Sequence, residues 1–529
     1  MMLRPRNLFR NSVFVLGLTA ALLAIVVQSG ELGSSDTMHR LQTAHSFWTS
    51  QPAVFPEEYP EFGVHGRGGR LYDWYGIGQP LLMLPFDVAG TYVARLPIFA
   101  NYDQNGPSVR NIVVVYSTNV LLSVLTALVA FRLLHLFGFA TREAVAGVLA
   151  LLFCTTHLHY TQNLMENNYI MLLTLSGLMF HDEWLRSGSK RALLIGSAAF
   201  GLNLLTRLTT GMDLLAGGIF LLMILRLERL RPRELRGRFA VYLKTALPIY
   251  AVFVVIERAY QYYRFGSFFN TYIKVYAEEY HRLNPSLPAS YPFETPFRTG
   301  FAGPLITPEK SIFLFDPLLV LTIVLAVLLW KRFQPEVKAY VTTAFLLLLG
   351  YICFYAKYTV WSGDFAWGDR YVSTAAELAA FISVPLLLRY RLELGRGIWV
   401  FGTALIATSA AIQFASLAFW LPLEIYQMET LGHPTFVIAL RLKNIVAFAL
   451  GKMDQWGLNN HAMTEDPWDY IHITTWNFLP FVLRRAGEAP RWVVDLSFAI
   501  WGACVAALGG TLWWMRRLVD GRAAKSPTP

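Results

Sequence analysis

The sequence predicts an all-α, polytopic transmembrane bundle of about twelve spans, and three observations carry that expectation. First, 55% of the 529 residues are hydrophobic and only 15% are charged, where a soluble domain carries about a quarter charged residues. Second, the apolar residues fall in repeated stretches of about 20, the length a helix needs to cross roughly 30 Å of hydrocarbon at 1.5 Å per residue. Third, the net charge of +10 is concentrated in short basic clusters between those stretches. That is the positive-inside pattern, not a nucleic-acid-binding face. Cys154, Cys353 and Cys504 lie inside apolar stretches, so neither a disulfide framework nor a cysteine metal site is indicated.

In chain order, Arg4, Arg6 and Arg10 precede a first span at 11–29. Its long apolar core, with no small-x-small site before Glu31, reads as an uncleaved span and not as a signal peptide. The apolar run from Pro80 to Leu96 is read as an interfacial or re-entrant helix, because counting it as a span would place Arg132 outside and invert every later loop. Spans follow at 111–131, 144–161, 166–181, 192–206 and 209–225, with Arg132, Arg142, Arg186, Lys190 and Arg191 between them. The densest cluster, from Arg226 through Arg229, Arg231, Arg233, Arg236 and Arg238 to Lys244, precedes a span at 245–263. The remaining spans are 311–330, 339–357, 371–388, 397–420 and 493–515, ending in a tail with Arg516, Arg517, Arg522 and Lys525.

With the basic clusters in the cytoplasm, both termini are cytoplasmic and four longer loops, 30–110, 264–310, 358–370 and 421–492, face the opposite side. Candidate chemistry therefore belongs outside. The proline-rich 264–310 loop is expected to be extended and irregular. Within the last loop, Arg441 and Lys443 make Thr435 to Leu450 an amphipathic interfacial helix. The chain divides into a transmembrane module with external loops at 1–420 and, at 421–529, an external loop, a last span and a basic tail.

Five stretches retain their order along this topology. The first external loop opens Ser34-Ser35-Asp36-Thr37-Met38-His39 and later reads Gly69-Arg70-Leu71-Tyr72-Asp73-Trp74-Tyr75-Gly76-Ile77-Gly78-Gln79-Pro80. Asn163-Leu164-Met165-Glu166 opens the fourth span, Arg264-Phe265-Gly266-Ser267 follows the seventh, and Trp361-Ser362-Gly363-Asp364-Phe365-Ala366-Trp367-Gly368-Asp369-Arg370-Tyr371 precedes the tenth. Together, from Asp36 to about Leu388, they resemble the GT-C superfamily of membrane glycosyltransferases. The resemblance implies a protein of the bacterial cytoplasmic membrane that moves a sugar from a polyprenyl-phosphate carrier to a lipid, polysaccharide or protein acceptor on the extracytoplasmic face, with inversion. It also implies that Asp36, just after the first span, is the catalytic carboxylate. The second carboxylate that such enzymes keep beside it is here Thr37.

Such a transfer needs a base for the acceptor hydroxyl and cationic donors for the departing phosphate. Asp36 supplies the first; its alternative is to cap a helix running from Thr37 to Trp48. Glu166 is a second acidic candidate, for an acceptor or a divalent cation beside Asp36, against a solvated helix-terminal carboxylate. Spacing alone leaves a metal open. The phosphate candidates are Arg370, Arg207, Arg67 and Arg70, with His65, Arg264 and Lys310 behind them. His39 and Tyr75 lie in the matched stretches as supporting residues, and Glu377, two helical turns below Arg370, is either its site partner or part of a buried structural pair. His157 and His159 read as packing or interfacial residues. Two rival classes stay in view: a transporter or lipid flippase, and an inactive relative that binds lipid.

Overall fold

A computed structural model describes residues 5–99, 107–228, 230–364, 366–453, 475–487 and 489–520. Arg4, Arg229, Phe365, Arg522, Lys525 and the segment 454–474 of the last predicted external loop lie outside the described residues. The chain is an all-α polytopic membrane protein. Among the described residues the exception is one short antiparallel hairpin, β1 (Val64–His65) with β2 (Leu71–Tyr72).

Every predicted span falls on helix. Among the described residues, six helices are long and apolar enough to cross a membrane: Val109–Leu136, Leu208–Leu227, Pro232–Phe265, Pro335–Tyr355, Arg396–Ser416 and Arg491–Arg517. In order, the first half contains α1 (Pro5–Val26), α2 (Ser35–Ser46), α3 (Gly78–Ala94), α4 (Val109–Leu136), α5 (Thr141–Cys154), α6 (His157–Gln162), α7 (Asn167–Ser187), α8 (Lys190–Thr206), α9 (Gly211–Leu227) and α10 (Pro232–Phe265). The second half contains α11 (Tyr272–Leu283), α12 (Phe297–Ile306), α13 (Ile312–Phe315), α14 (Leu318–Leu329), α15 (Pro335–Tyr355), α16 (Ser373–Ala380), α17 (Ser383–Arg389) and α18 (Arg396–Ser416). After these come α19 (Pro422–Glu429), α20 (Val437–Ala449), α21 (Leu479–Ala486) and α22 (Arg491–Asp520).

Three predicted spans are broken, and a side chain at one break satisfies backbone freed at another. Between α5 and α6 the backbone turns extended at Thr155, freeing the amide of Thr156. Between α13 and α14 stands Asp316, whose carboxylate accepts from the Thr156 amide at 2.8 Å and its hydroxyl at 2.9 Å. Backbone freed at membrane depth is tolerated only where protein re-satisfies it. The third break separates α16 from α17.

The run from Pro80 to Leu96 is the 17-residue α3, packed on α2 and α4. Its buried Asp87 accepts from Trp48 Nε1 at 2.8 Å and Arg110 Nε at 2.5 Å, with His45 Nδ1 at 2.9 Å. That anchor ties the C-terminal end of α2 and the N-terminal end of α4 to the middle of α3. Elsewhere α7 packs on α8, α8 on α10, α9 on α15, and the last long helix returns to α1. There Thr19 Oγ1 donates to Thr511 Oγ1 at 3.0 Å and Trp501 Nε1 to the Val26 carbonyl at 2.9 Å. Small residues set the close approaches, as is usual between spans: both Gly177 and Gly217 abut the Phe200 ring.

The helix predicted from Thr435 to Leu450 is present as α20, but Arg441 is not interfacial. It is fully buried and forms a two-pronged pair with Glu424 of α19, both bonds at 2.6 Å, while also donating to the Ser416 carbonyl at 2.7 Å. A charge of that kind reads as surface-seeking in sequence. Only the facing carboxylate makes burial tolerable.

Candidate functional site

The site begins where the chain leaves α1. Gly33 has φ +82°, and a Cβ there would meet Asn163 Cα at 2.6 Å, so only glycine lets the segment before α2 lie against the turn before α7. Thr37 Oγ1 and Gln79 Nε2 then both donate to the Leu164 carbonyl, at 3.0 and 2.9 Å. The start of α2 is thereby held beside Glu166. The residue that caps α2 is Ser34, whose side chain accepts from the Thr37 amide at 3.2 Å. Asp36 lies inside the first turn, so the capping alternative for Asp36 is corrected: the serine two positions earlier takes that role.

Freed from capping, Asp36 pairs with Arg370, and Arg40, one turn along α2, stands 4.0 Å away. Tyr75 faces the same carboxylate, with Arg40 lying 4.0 Å over its ring. Burial alone would raise the Asp36 pKa, but the Arg370 and Arg40 guanidiniums outweigh it and hold the carboxyl below its ordinary value. The Tyr75 hydroxyl is pushed well above its usual range by burial and by the charge on Asp36.

Glu166 is not a solvated helix end. It is buried at the start of α7, 2.5 Å from Arg40 and paired with Arg207 from the end of α8. Arg207 and Arg370 lie over the same Tyr371 ring, at 5.2 and 5.3 Å from its centroid. Asn167 holds the carbonyl of Arg370 at 2.8 Å. Three arginines, 40, 207 and 370, thus face two carboxylates, 36 and 166, and the centre carries a net charge of +1. Arg40 Nη1 and Arg370 Nε have no acceptor there. The side chains of Asp36, Arg370 and Arg207 retain 16%, 13% and 17% of their surface, which leaves the cluster one open edge.

This geometry decides what the centre can hold. Both carboxylates are already engaged by guanidiniums, and among the described residues no group of three His, Cys, Asp or Glu side chains is placed to hold a metal ion. The residues do not fit a divalent cation between Asp36 and Glu166. They fit an anion, for which spare guanidinium donors and an excess positive charge are the usual provision.

Of the other sequence candidates, Glu377 does not reach Arg370. Its carboxyl lies 2.7 Å from Thr156 Oγ1 and shares that hydroxyl with Asp316, and His157 stands 4.0 Å off. The break in α5–α6 diverts it to the buried structural pair. Arg67 and Arg70 are exposed on the turn between β1 and β2, away from Asp36. Arg264 points inward, donating to the carbonyls of Asp73 at 2.7 Å and Tyr75 at 3.1 Å, so it fixes the Tyr75 turn. His65 pairs with Glu279. His39 is buried, stacked on Phe62 at 4.2 Å and 3.9 Å from Glu58.

Lys310 is not a phosphate ligand in this arrangement either. Its ammonium donates to the carbonyls of Asp364, Ala366 and Gly368 at 2.6, 3.0 and 3.3 Å, so it ties down the loop that ends in Arg370. Burial lowers its pKa to about 8, and burial raises that of the neighbouring Asp369 to about 7. His159 stacks on Trp367 in the same loop, a packing role as expected from sequence.

Sequence reasoning missed Arg40. The signal was available: Arg40 follows Asp36 by four residues on one helix, the spacing at which opposite charges meet.

No family model and no curated protein sequence matches this chain. Solved structures align with it at low similarity. An oligosaccharyltransferase of Archaeoglobus fulgidus, tethered by a disulfide to an acceptor peptide containing an NVT sequon, aligns over 77% of this chain at 13% identity with a TM-score of 0.47. The chain spans about half, 54%, of that enzyme's length. ArnT from Cupriavidus metallidurans, bound to undecaprenyl phosphate, aligns over 97% of this chain and 77% of its own, at 13% identity and a TM-score of 0.41. At TM-scores below 0.5 these likenesses carry no functional argument, and the charged centre has to supply it.

Proposed function

We propose that this protein is a GT-C-type membrane glycosyltransferase that moves a sugar from a polyprenyl-phosphate carrier to an acceptor hydroxyl on the extracytoplasmic face. The observation that carries the reading is the five-residue centre of Asp36, Glu166, Arg40, Arg207 and Arg370, ionised, net positive and open along one edge. Asp36 accepts the proton of the acceptor hydroxyl as its oxygen attacks the anomeric carbon. The bond from that carbon to the phosphate oxygen breaks, and its electron pair leaves with the phosphate. Arg370 and Arg40, with Arg207 behind them, meet the developing charge through pre-placed donors, the kind of electrostatic support that stabilises such a transition state. Glu166 holds Arg40 and Arg207 in register, and Tyr75 closes the wall beside Asp36.

The basic clusters support an arrangement with both termini cytoplasmic and this centre outside. Cysteine labelling in intact cells tests that side: positions near Arg233 should be protected and positions near Pro288 labelled, and the reverse pattern would invert the topology. Activity is tested by incubating the purified protein with a panel of polyprenyl-phosphate sugars and measuring release of polyprenyl phosphate. No release from any donor, with the protein folded, would leave the inactive lipid-binding alternative. The buried Asp316–Glu377 pair is the feature that favours a transporter. Proton-coupled flux in proteoliposomes, abolished by Glu377→Gln, would support that rival.

A further inference from the structure

The arginines that the Asp36 centre leaves aside stand together elsewhere. The turn of the β1–β2 hairpin reads Gly66-Arg67-Gly68-Gly69-Arg70. The hairpin is seated on the last turn of α10, where a Cβ on Gly66 would come within 2.3 Å of the Arg264 carbonyl oxygen, an approach that only glycine allows. Tyr72 meets the Tyr263 and Phe265 rings edge-on at 5.8 and 6.3 Å. Beyond that seat the turn is open: nothing surrounds Gly68 and Gly69, and Arg67 and Arg70 are exposed.

Position along α10 fixes the depth of this turn. From Lys244, the end of the densest basic cluster, to Arg264 is about 20 residues, or roughly 30 Å of helix, one hydrocarbon thickness. Around that level Tyr262, Tyr263, Phe268 and Phe269 are 39%, 53%, 50% and 89% exposed. Exposed aromatic residues at the end of a span mark the headgroup layer. The Arg67 guanidinium lies 5.6 Å over the Tyr262 ring, which places it at the same level. Nearby carboxylates are committed elsewhere, Glu279 to His65 and Asp73 to Arg264. Arg70 lies beside the Tyr72 hydroxyl.

We infer that the Arg67–Arg70 turn is a docking site for the phosphate of an anionic phospholipid, with the aromatic end of α10 lying against that lipid's glycerol and upper acyl chains. Two guanidiniums at headgroup level complement a phosphodiester, and the chain continues from β2 into the Asp73–Tyr75 wall of the charged centre. The inference requires only that α10 spans the membrane and does not depend on the glycosyltransferase reading.

The test uses the full-length protein in phosphatidylcholine nanodiscs carrying a trace of photoactivatable phosphatidylglycerol or, in parallel, photoactivatable phosphatidylcholine. Phosphatidylglycerol should crosslink preferentially to the 64–72 peptide and to the end of α10. Loss of the charge-assisted hydrogen bonds in Arg67→Gln with Arg70→Gln should lower the phosphatidylglycerol preference by about tenfold or more. Arg67→Lys with Arg70→Lys should keep most of it, and circular dichroism should show both variants folded. An unchanged preference in the glutamine variant would overturn the inference. So would displacement of the crosslink by stoichiometric polyprenyl phosphate but not by unlabelled phosphatidylglycerol, which would assign the turn to the carrier.

Discussion

Asp36→Asn is the substitution that most sharply tests the charged centre. Because Ser34, not Asp36, caps α2, the change leaves the 3.2 Å cap bond intact, and the carboxamide still accepts from Arg370. The stability cost is therefore the difference between a charged and a neutral acceptor, below about 1.5 kcal/mol. The charge of the centre rises from +1 to +2, since one of two carboxylates facing three arginines is neutralised. Donor phosphate should bind as well or more tightly, because a like-charge repulsion worth up to about 3 kcal/mol, for roughly 6 Å at an effective dielectric near 20, is removed. Turnover should move the other way. Loss of a general base usually costs about 100- to 10,000-fold, or roughly 2.7 to 5.5 kcal/mol of barrier. The assay is single-turnover release of polyprenyl phosphate at saturating donor, beside donor affinity measured by competition. Near-normal turnover would refute the base assignment; a parallel fall in affinity and turnover would show that Asp36 only organises Arg370.

Arg370→Ala removes a charge-assisted donor from the donor phosphate and should weaken donor binding about 10- to 100-fold in the competition assay, with the protein still folded in detergent. Arg441→Ala strands the fully buried Glu424 and should destabilise the α19–α20 region by about 3 to 5 kcal/mol, visible as a lowered unfolding temperature, without a matching loss of donor affinity. Because the Asp36 pKa is held below its ordinary value of 3.8, its ion pair contributes fully above that pH and is lost only as pH falls through the lower folded value. The acid limb of kcat/KM should accordingly lie below about pH 4, and an acid limb near pH 6 would assign the base to another group.

Sequence by itself determined most of the helical elements. Length and hydropathy of the apolar runs are local properties, so α4, the helices from α7 to α10 and the long helix at the C-terminal end were legible without any tertiary contact. The order of Asp36, Glu166, Arg207 and Arg370 along the chain was also legible, because each lies at the end of a span. Their union was not: Asp36 and Arg370 are 334 residues apart, and only the packing of α2 against the α7 turn brings them together. Ser34, Ser35 and Asp36 are all good capping residues, and which of them caps depends on where α2 is pinned by Gly33 and Thr37. Glu377 was drawn from Arg370 to Asp316 by two helix breaks that a hydropathy window passes over. The remaining arginines were sorted by contact alone. Arg264 and Arg441 turn inward to partners and Arg67 and Arg70 turn outward, because the cost of burying a charge is set by what faces it, and that is a property of the fold and not of the residue.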